Sequence, residues 1–237
     1  MQGSVHEVTI HSKSLQEDIL LLVYLPSAYT PLYHHTVVIA QDGQDYIQFG
    51  KVLRLLESMQ HKIEPTIFVG IPYKDIQDRR NKYHPSGIQN QAYIRFLAHE
   101  LTPYLDWHYA THQMGKGRIL LGDSLGATVS LLASLMYPHT FGKCILQSPY
   151  VDERVMQQAN ALSPSHDLDI YHVIGTEESQ VATSDGTLKN FITPNRQLRE
   201  LLKTKPIAYY YHEFQGNHTW KHWQNDLPTA FSSMLTL

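Results

Sequence analysis

Short β-branched runs, apolar on both faces, recur along this chain and leave few ways to fold it. Thr36-Val37-Val38-Ile39-Ala40 ends at Asp42-Gly43, Ile67-Phe68-Val69-Gly70-Ile71 ends at Pro72, and Arg118-Ile119-Leu120-Leu121-Gly122 follows a Gly-rich turn. Strands apolar on both sides belong in a parallel sheet covered above and below. Between the first two runs Phe49, Val52, Leu53, Leu56 and Met59 recur at helical spacing, and a longer helical pattern covers Gln89 to Tyr109. Val5 to Ile10 and Ile19 to Leu25 predict an opening hairpin. Beyond the middle, a helix over Leu125 to Met136, strands at Lys143 to Gln147, Asp169 to Ile174 and Ile207 to Phe214, a helix over Leu188 to Leu202 and a last one after Trp220 continue the alternation. The expectation is an α/β fold with a mostly parallel sheet. Tyr150 to His166 is the only sizeable insertion after a strand, long enough for a small helical flap and too short for a full cap domain.

With no internal repeat or linker, the 237 residues are expected to form one domain over 1–237. The 19 Lys+Arg against 22 Asp+Glu give a net charge of −3, which argues against a nucleic-acid partner, since such binders gather a basic excess on one face. The 15 histidines make the net charge sensitive to pH without bearing on the fold. A lone Cys144 has no partner for a disulfide and fits a reducing compartment. No basic and apolar leader opens the chain, and runs such as Ile19 to Val23 are far short of the ~20 residues that span a bilayer. A cytoplasmic protein with no membrane span is expected, its oligomeric state left open.

Gly122-Asp123-Ser124-Leu125-Gly126 matches G-x-S-x-G. A bare pentapeptide of this kind also occurs by chance in loops; here it lies between an apolar strand and a helix, where a sharp turn between small residues lifts a serine hydroxyl above the carboxyl edge of the sheet. The turn also aims the Leu125 N–H at an oxyanion forming there. A serine needs a base, and hydrolases of this kind order the chain as Ser, acid, His. His218 in Gln215-Gly216-Asn217-His218-Thr219 follows the last strand and is the expected base; His222, four residues on, competes with it. The glutamate of H-E-x-x-H is absent between them, so no metal is expected. His34, His35, His108 and His112 are expected to be solvated. The acid should lie past the strand ending at Ile174: Glu178 is preferred, with Asp185 and Glu177 as alternatives. In Gln41-Asp42-Gly43-Gln44, Gly43 permits a turn that would make the Gln44 N–H the second oxyanion donor.

In order along the chain, these segments, with Arg79 through Tyr83-His84-Pro85, Glu100-Leu101-Thr102-Pro103, Tyr137-Pro138-His139-Thr140-Phe141-Gly142 and Gln147-Ser148-Pro149, resemble the putative-esterase family of α/β-hydrolases, which includes esterase D and enterochelin-type trilactone esterases. The resemblance implies an α/β-hydrolase fold with an N-terminal antiparallel hairpin, helices on both faces of the sheet and a minimal cap. It implies Ser124 as nucleophile, His218 as base, Glu178 as acid, and the Gln44 and Leu125 amides as the oxyanion hole. Ala127 stands where relatives often have a second glycine.

The expected activity is a serine carboxylesterase that hydrolyses small or short-chain acyl esters through an acyl-enzyme, without a cofactor. Alternatives on the same residues are a siderophore trilactone esterase and an acyltransferase; a non-catalytic binding protein of this fold is the reading from another class. Arg79 and Arg80 are the nearest cations expected at the site, too few to read as a site for an anionic ferric complex.

Overall fold

A computed structural model of the chain describes residues 3–163, 167–183 and 186–235. The elements run β1 (Ser4–Ser12), β2 (Glu17–Leu25), β3 (Thr36–Gln41), α1 (Gly43–Gln48), α2 (Val52–Met59), β4 (Thr66–Ile71), α3 (Ile76–Tyr83), α4 (Asn90–Phe96), α5 (Thr102–His108), β5 (Arg118–Asp123), α6 (Ser124–Met136), β6 (Lys143–Gln147), α7 (Glu153–Asn160), β7 (Asp169–Gly175), β8 (Val181–Ala182), β9 (Leu188–Lys189), α8 (Ile192–Lys203), β10 (Ala208–Phe214) and α9 (Trp220–Met234).

Eight strands form one sheet in the order β1-β2-β4-β3-β5-β6-β7-β10. β1 and β2 pair antiparallel, as does β2 with β4; β3, β4, β5, β6, β7 and β10 run parallel. Alternation within each strand explains runs that are apolar throughout. Val37, Ile39, Leu120, Cys144 and Leu146 point into one core with Leu97, Val129 and Leu131. Their neighbours Val38, Ala40, Ile119, Leu121 and Ile145 point into the other, against Leu56, Leu227 and Phe231. At ~25 cal/mol per Å² of apolar surface, burial on both sides of so many strands dominates the stability of the sheet. The parallel order puts the carboxyl ends of β3, β5, β7 and β10 on one edge, where α/β sheets bind ligands.

Several elements differ from the sequence reading. The long helical stretch from Gln89 is interrupted by a π-helical turn, Leu97–Leu101. Pro103, at the start of α5, has no N–H to give, and the Leu97 carbonyl accepts from the Thr102 N–H and, at 2.9 Å, from the Thr102 hydroxyl as well. The helix expected from Leu188 begins only at Ile192, because Leu188–Lys189 pairs with Val181–Ala182 as a small hairpin. α3 had no apolar rhythm to announce it; its start is made by Asp75, whose side chain accepts from the Asp78 N–H at 2.8 Å. α7, in the insertion after β6, packs against α6 and α8 rather than closing over a site; His166 and its two predecessors fall outside the described residues. His35 is buried at 1% exposure with its ring against the Ala110 carbonyl, not solvated, and His34 lies beside the His112 ring. Among the described residues no helix is long and apolar enough to cross a membrane.

Candidate active site

The turn from β5 to α6 holds Ser124 at φ 51°, a left-handed conformation that costs a non-glycine residue about 1–3 kcal/mol and is retained where the surroundings enforce it. The flanking glycines make that possible. A Cβ on Gly122 would sit 2.2 Å from the Gly126 carbonyl carbon, and one on Gly126 would come within 3.1 Å of both the Gln41 side chain and the Asp42 carboxylate. The chain therefore doubles back on itself and lies directly against the loop after β3. Ser124 and Leu125 line a cavity of about 140 Å³ together with His218.

His218 follows β10, and its Nδ1 lies 2.7 Å from Glu178 Oε2. Since a carboxylate only accepts, Nδ1 carries a proton, which in a neutral imidazole leaves the lone pair on Nε2. Glu178 is wholly buried in the turn after β7, and its other oxygen accepts from the Gly175 N–H at 2.8 Å and from the Ser148 hydroxyl at 2.6 Å. Ser148 in turn accepts from Trp223 Nε1–H at 3.0 Å. Three donors thus fix the carboxylate, while Phe191 and Trp223, with ring centroids 4.6 and 4.8 Å away, hold the imidazole. Of the other carboxylates weighed from the sequence, Glu177 accepts instead from Gln215 Nε2, and Asp185 lies outside the described residues. His222 stacks on Phe214 and packs its ring against Gly216, away from the cavity.

The loop after β3 turns at Asp42, not at Gly43: Asp42 has φ 54°. Gly43 is needed for another reason, since its Cβ would lie 2.3 Å from the Gly70 Cα in β4. Gln44 sits in the first turn of α1, where backbone N–H groups have no acceptor within the helix; it does not line the 140 Å³ cavity. Arg79 of α3 organises this corner. Its Nε and Nη2 reach Asp42 Oδ2 at 2.9 and 2.6 Å, and Nη2 lies 3.5 Å from the Asp123 carbonyl, so one guanidinium touches the residues that precede both helix starts. This role was not read from the sequence.

Asp123 is buried beside this pair, and one of its carboxyl oxygens has no hydrogen-bond partner. Burial, and then the charge of Asp42, push its carboxyl up to about 8, with Arg79 offsetting part of the rise. A carboxyl raised in this way binds a proton in the folded chain that the unfolded chain has lost. Its contribution to stability is full below about pH 4 and is lost as pH climbs toward about 8. Asp123→Asn, which never ionises, is expected to melt above the wild type at pH 8.5, with the difference shrinking at pH 5. Parallel melting curves for the two proteins across that range would refute this account of Asp123.

The family model of the description "Putative esterase" matches residues 12–234. The chain belongs to the putative-esterase family. Membership supports an ester as the bond that is cleaved. "Uncharacterized protein YjcH" of Bacillus subtilis (strain 168) is 48% identical over 235 residues, 98% of each chain. Among solved structures, the enterobactin esterase FES from Shigella flexneri superposes with a TM-score of 0.81 at 18% identity, over 97% of this chain. This chain spans only 59% of that enzyme's length. The BES protein from Bacillus cereus gives a TM-score of 0.78 at 16% identity, over 98% of this chain and 95% of its own. At these identities the structural likeness speaks for the shared α/β-hydrolase fold.

Among the described residues, Lys189 of β9 joins Arg79 and Arg80 at the cavity, and the His84 ring, from the end of α3, lines it as well.

Proposed function

We propose that this member of the family is a serine carboxylesterase acting on small or short-chain acyl esters. The observation that carries the reading is a strained Ser124 sharing its cavity with an imidazole whose far nitrogen is held by a buried carboxylate. In this reading Ser124 Oγ attacks the acyl carbon while His218 Nε2 takes its proton, and the resulting imidazolium is stabilised by Glu178. The oxyanion is held by the Leu125 N–H, with the Gln44 N–H as second donor; one such donor is worth about a hundredfold or more in rate. When the tetrahedral species collapses, the acyl C–O bond to the alcohol breaks and Nε2 returns the proton to the departing oxygen. Water, deprotonated by the same nitrogen, then attacks the acyl-serine and frees the carboxylic acid and Ser124.

Against the ~300–1,000 Å³ of pockets that enclose drug-sized ligands, a 140 Å³ cavity suits a short acyl group, with the remainder of the substrate reaching into solvent.

A fluorophosphonate probe tests the reading: the wild-type protein is expected to be labelled on Ser124 and to hydrolyse p-nitrophenyl esters with a preference for short chains, and Ser124→Ala to do neither. A wild type that takes no label, or an alanine variant labelled equally well, would end it.

A further inference from the structure

We infer that Trp223 of α9 is a positioning residue for the serine chemistry: its indole N–H sets Glu178 through the Ser148 hydroxyl, and its ring sets His218. The role rests on the serine-esterase reading and adds to it a side chain outside the cavity lining.

Chemistry alone fixes the direction of each hydrogen bond. A carboxylate only accepts and an indole N–H only donates. Ser148 Oγ lies 2.6 Å from Glu178 Oε1 and 3.0 Å from Trp223 Nε1, so its single proton goes to the glutamate and a lone pair takes the indole N–H. The indole thus holds Oγ in place and polarises its O–H toward the carboxylate. Ser148 is wholly buried and sits at φ 50°, a conformation that glycine takes without cost and serine does not. What serine adds at that position is the hydroxyl between Trp223 and Glu178.

Trp223 is itself clamped from the same strand end. Gln147, the last residue of β6, is wholly buried and donates from Nε2 to the Trp223 carbonyl at 2.9 Å and to Asp226 Oδ2, further along α9, at 2.9 Å. Its Oε1 accepts from the Tyr46 hydroxyl of α1 at 3.1 Å. Neighbouring side chains at 147 and 148 therefore hold the main chain of Trp223 and receive its indole N–H. The Trp223 and His218 rings meet edge to face, with centroids 4.8 Å apart at 85°, a favoured arrangement for such rings. One side chain thus touches the imidazole directly and reaches the carboxylate through one hydroxyl, while imidazole and carboxylate meet each other at 2.7 Å. Nε2 of His218 can serve Ser124 only if that ring stays where it is, and small misplacements of a reacting group cost large factors in rate.

The test is a double-mutant cycle on the turnover of p-nitrophenyl butyrate, with fluorophosphonate labelling and melting followed for every variant. Ser148→Ala is expected to lower kcat about 10- to 100-fold with KM little changed. Trp223→Phe, which keeps a ring and removes the N–H, is expected to lower it about 3- to 10-fold. Because the N–H acts only through the hydroxyl, adding Trp223→Phe to Ser148→Ala is expected to lower kcat by less than about twofold more. Trp223→Leu, which also takes the ring away from His218, is expected to cost turnover in the Ser148→Ala background as well. Ser148→Gly releases the positive φ and lacks the same hydroxyl, so its kcat is expected to match that of Ser148→Ala whatever its melting temperature. Additive losses in the cycle, a Ser148→Ala kcat within about twofold of wild type, or kcat values that simply follow melting temperature across the variants overturn the role of Trp223 and leave the serine chemistry standing. Absence of labelling in the wild type overturns both.

Discussion

A Glu178→Gln variant is expected to lose ester turnover by roughly 10³- to 10⁴-fold while melting as a folded protein. The reason lies in how the carboxylate is surrounded. Oε1 accepts from two donors, the Ser148 hydroxyl and the Gly175 N–H, whereas Oε2 faces only His218 Nδ1. A glutamine settles with its amide oxygen toward the two donors and its NH₂ toward the imidazole. Nδ1 must then accept, which moves the ring proton to Nε2, the atom required to take the proton from Ser124. The variant would keep its packing and hold the base in the wrong tautomer. The expected signature is a collapse in kcat with KM little changed, together with slow fluorophosphonate labelling. A kcat within about tenfold of wild type would remove Glu178 from the mechanism.

Arg79→Met is expected to cost about 3–5 kcal/mol, because it leaves the Asp42 carboxylate buried and unanswered. For a chain of this size that is a fall in melting temperature of roughly 6–20 °C. Activity should fall as well, by about a hundredfold, since Asp42 sets the entry to α1 and hence the direction of the Gln44 N–H. Arg79→Lys, which keeps the charge and loses the fork, is expected to lie between the two. Pairing Arg79→Met with Asp42→Asn separates the causes: if the ion pair matters, the double variant recovers stability relative to Arg79→Met alone, because no uncompensated charge remains. Strictly additive losses would show that Arg79 acts through its packing against Tyr73 and Tyr83.

What could be read from the linear chain follows from how local each signal is. The strands of the sheet centre were legible because each is apolar on both faces, and the elbow was legible because two glycines, a serine and an apolar strand fall within a few residues. The proposed acid was only partly legible. Glu177 and Glu178 are neighbours of the same chemistry, and which one meets His218 depends on a turn held by Ser148 and Gly175, contacts that no spacing rule supplies. The turn of the loop after β3 was assigned to Gly43 because glycine is the usual owner of a positive φ; here Asp42 adopts it, held by Arg79, and Gly43 answers a close approach to Gly70. Of the cations at the cavity, Arg79 and Arg80 were read from the sequence and Lys189 was missed, because it belongs to a hairpin that read as the start of a helix.

Around Ser124 the backbone is packed on itself, with Gly122 against Gly126, Gly126 against the Gln41–Asp42 corner, and Gly43 against Gly70. The first and last of these contacts have no room for a methyl group without moving main chain, and the second would need the Gln41 or Asp42 side chain to give by a few tenths of an ångström. The hairpin of β8 and β9 has strands of only two residues each and contributes Val181, Ala182 and Lys189 to the opposite wall. On the proposed reading, reactivity and selectivity therefore reside in segments of unequal tolerance: anyone wishing to retrain this protein for a different ester has a rewritable margin at Val181, Ala182 and Lys189, and almost none at the turn around Ser124.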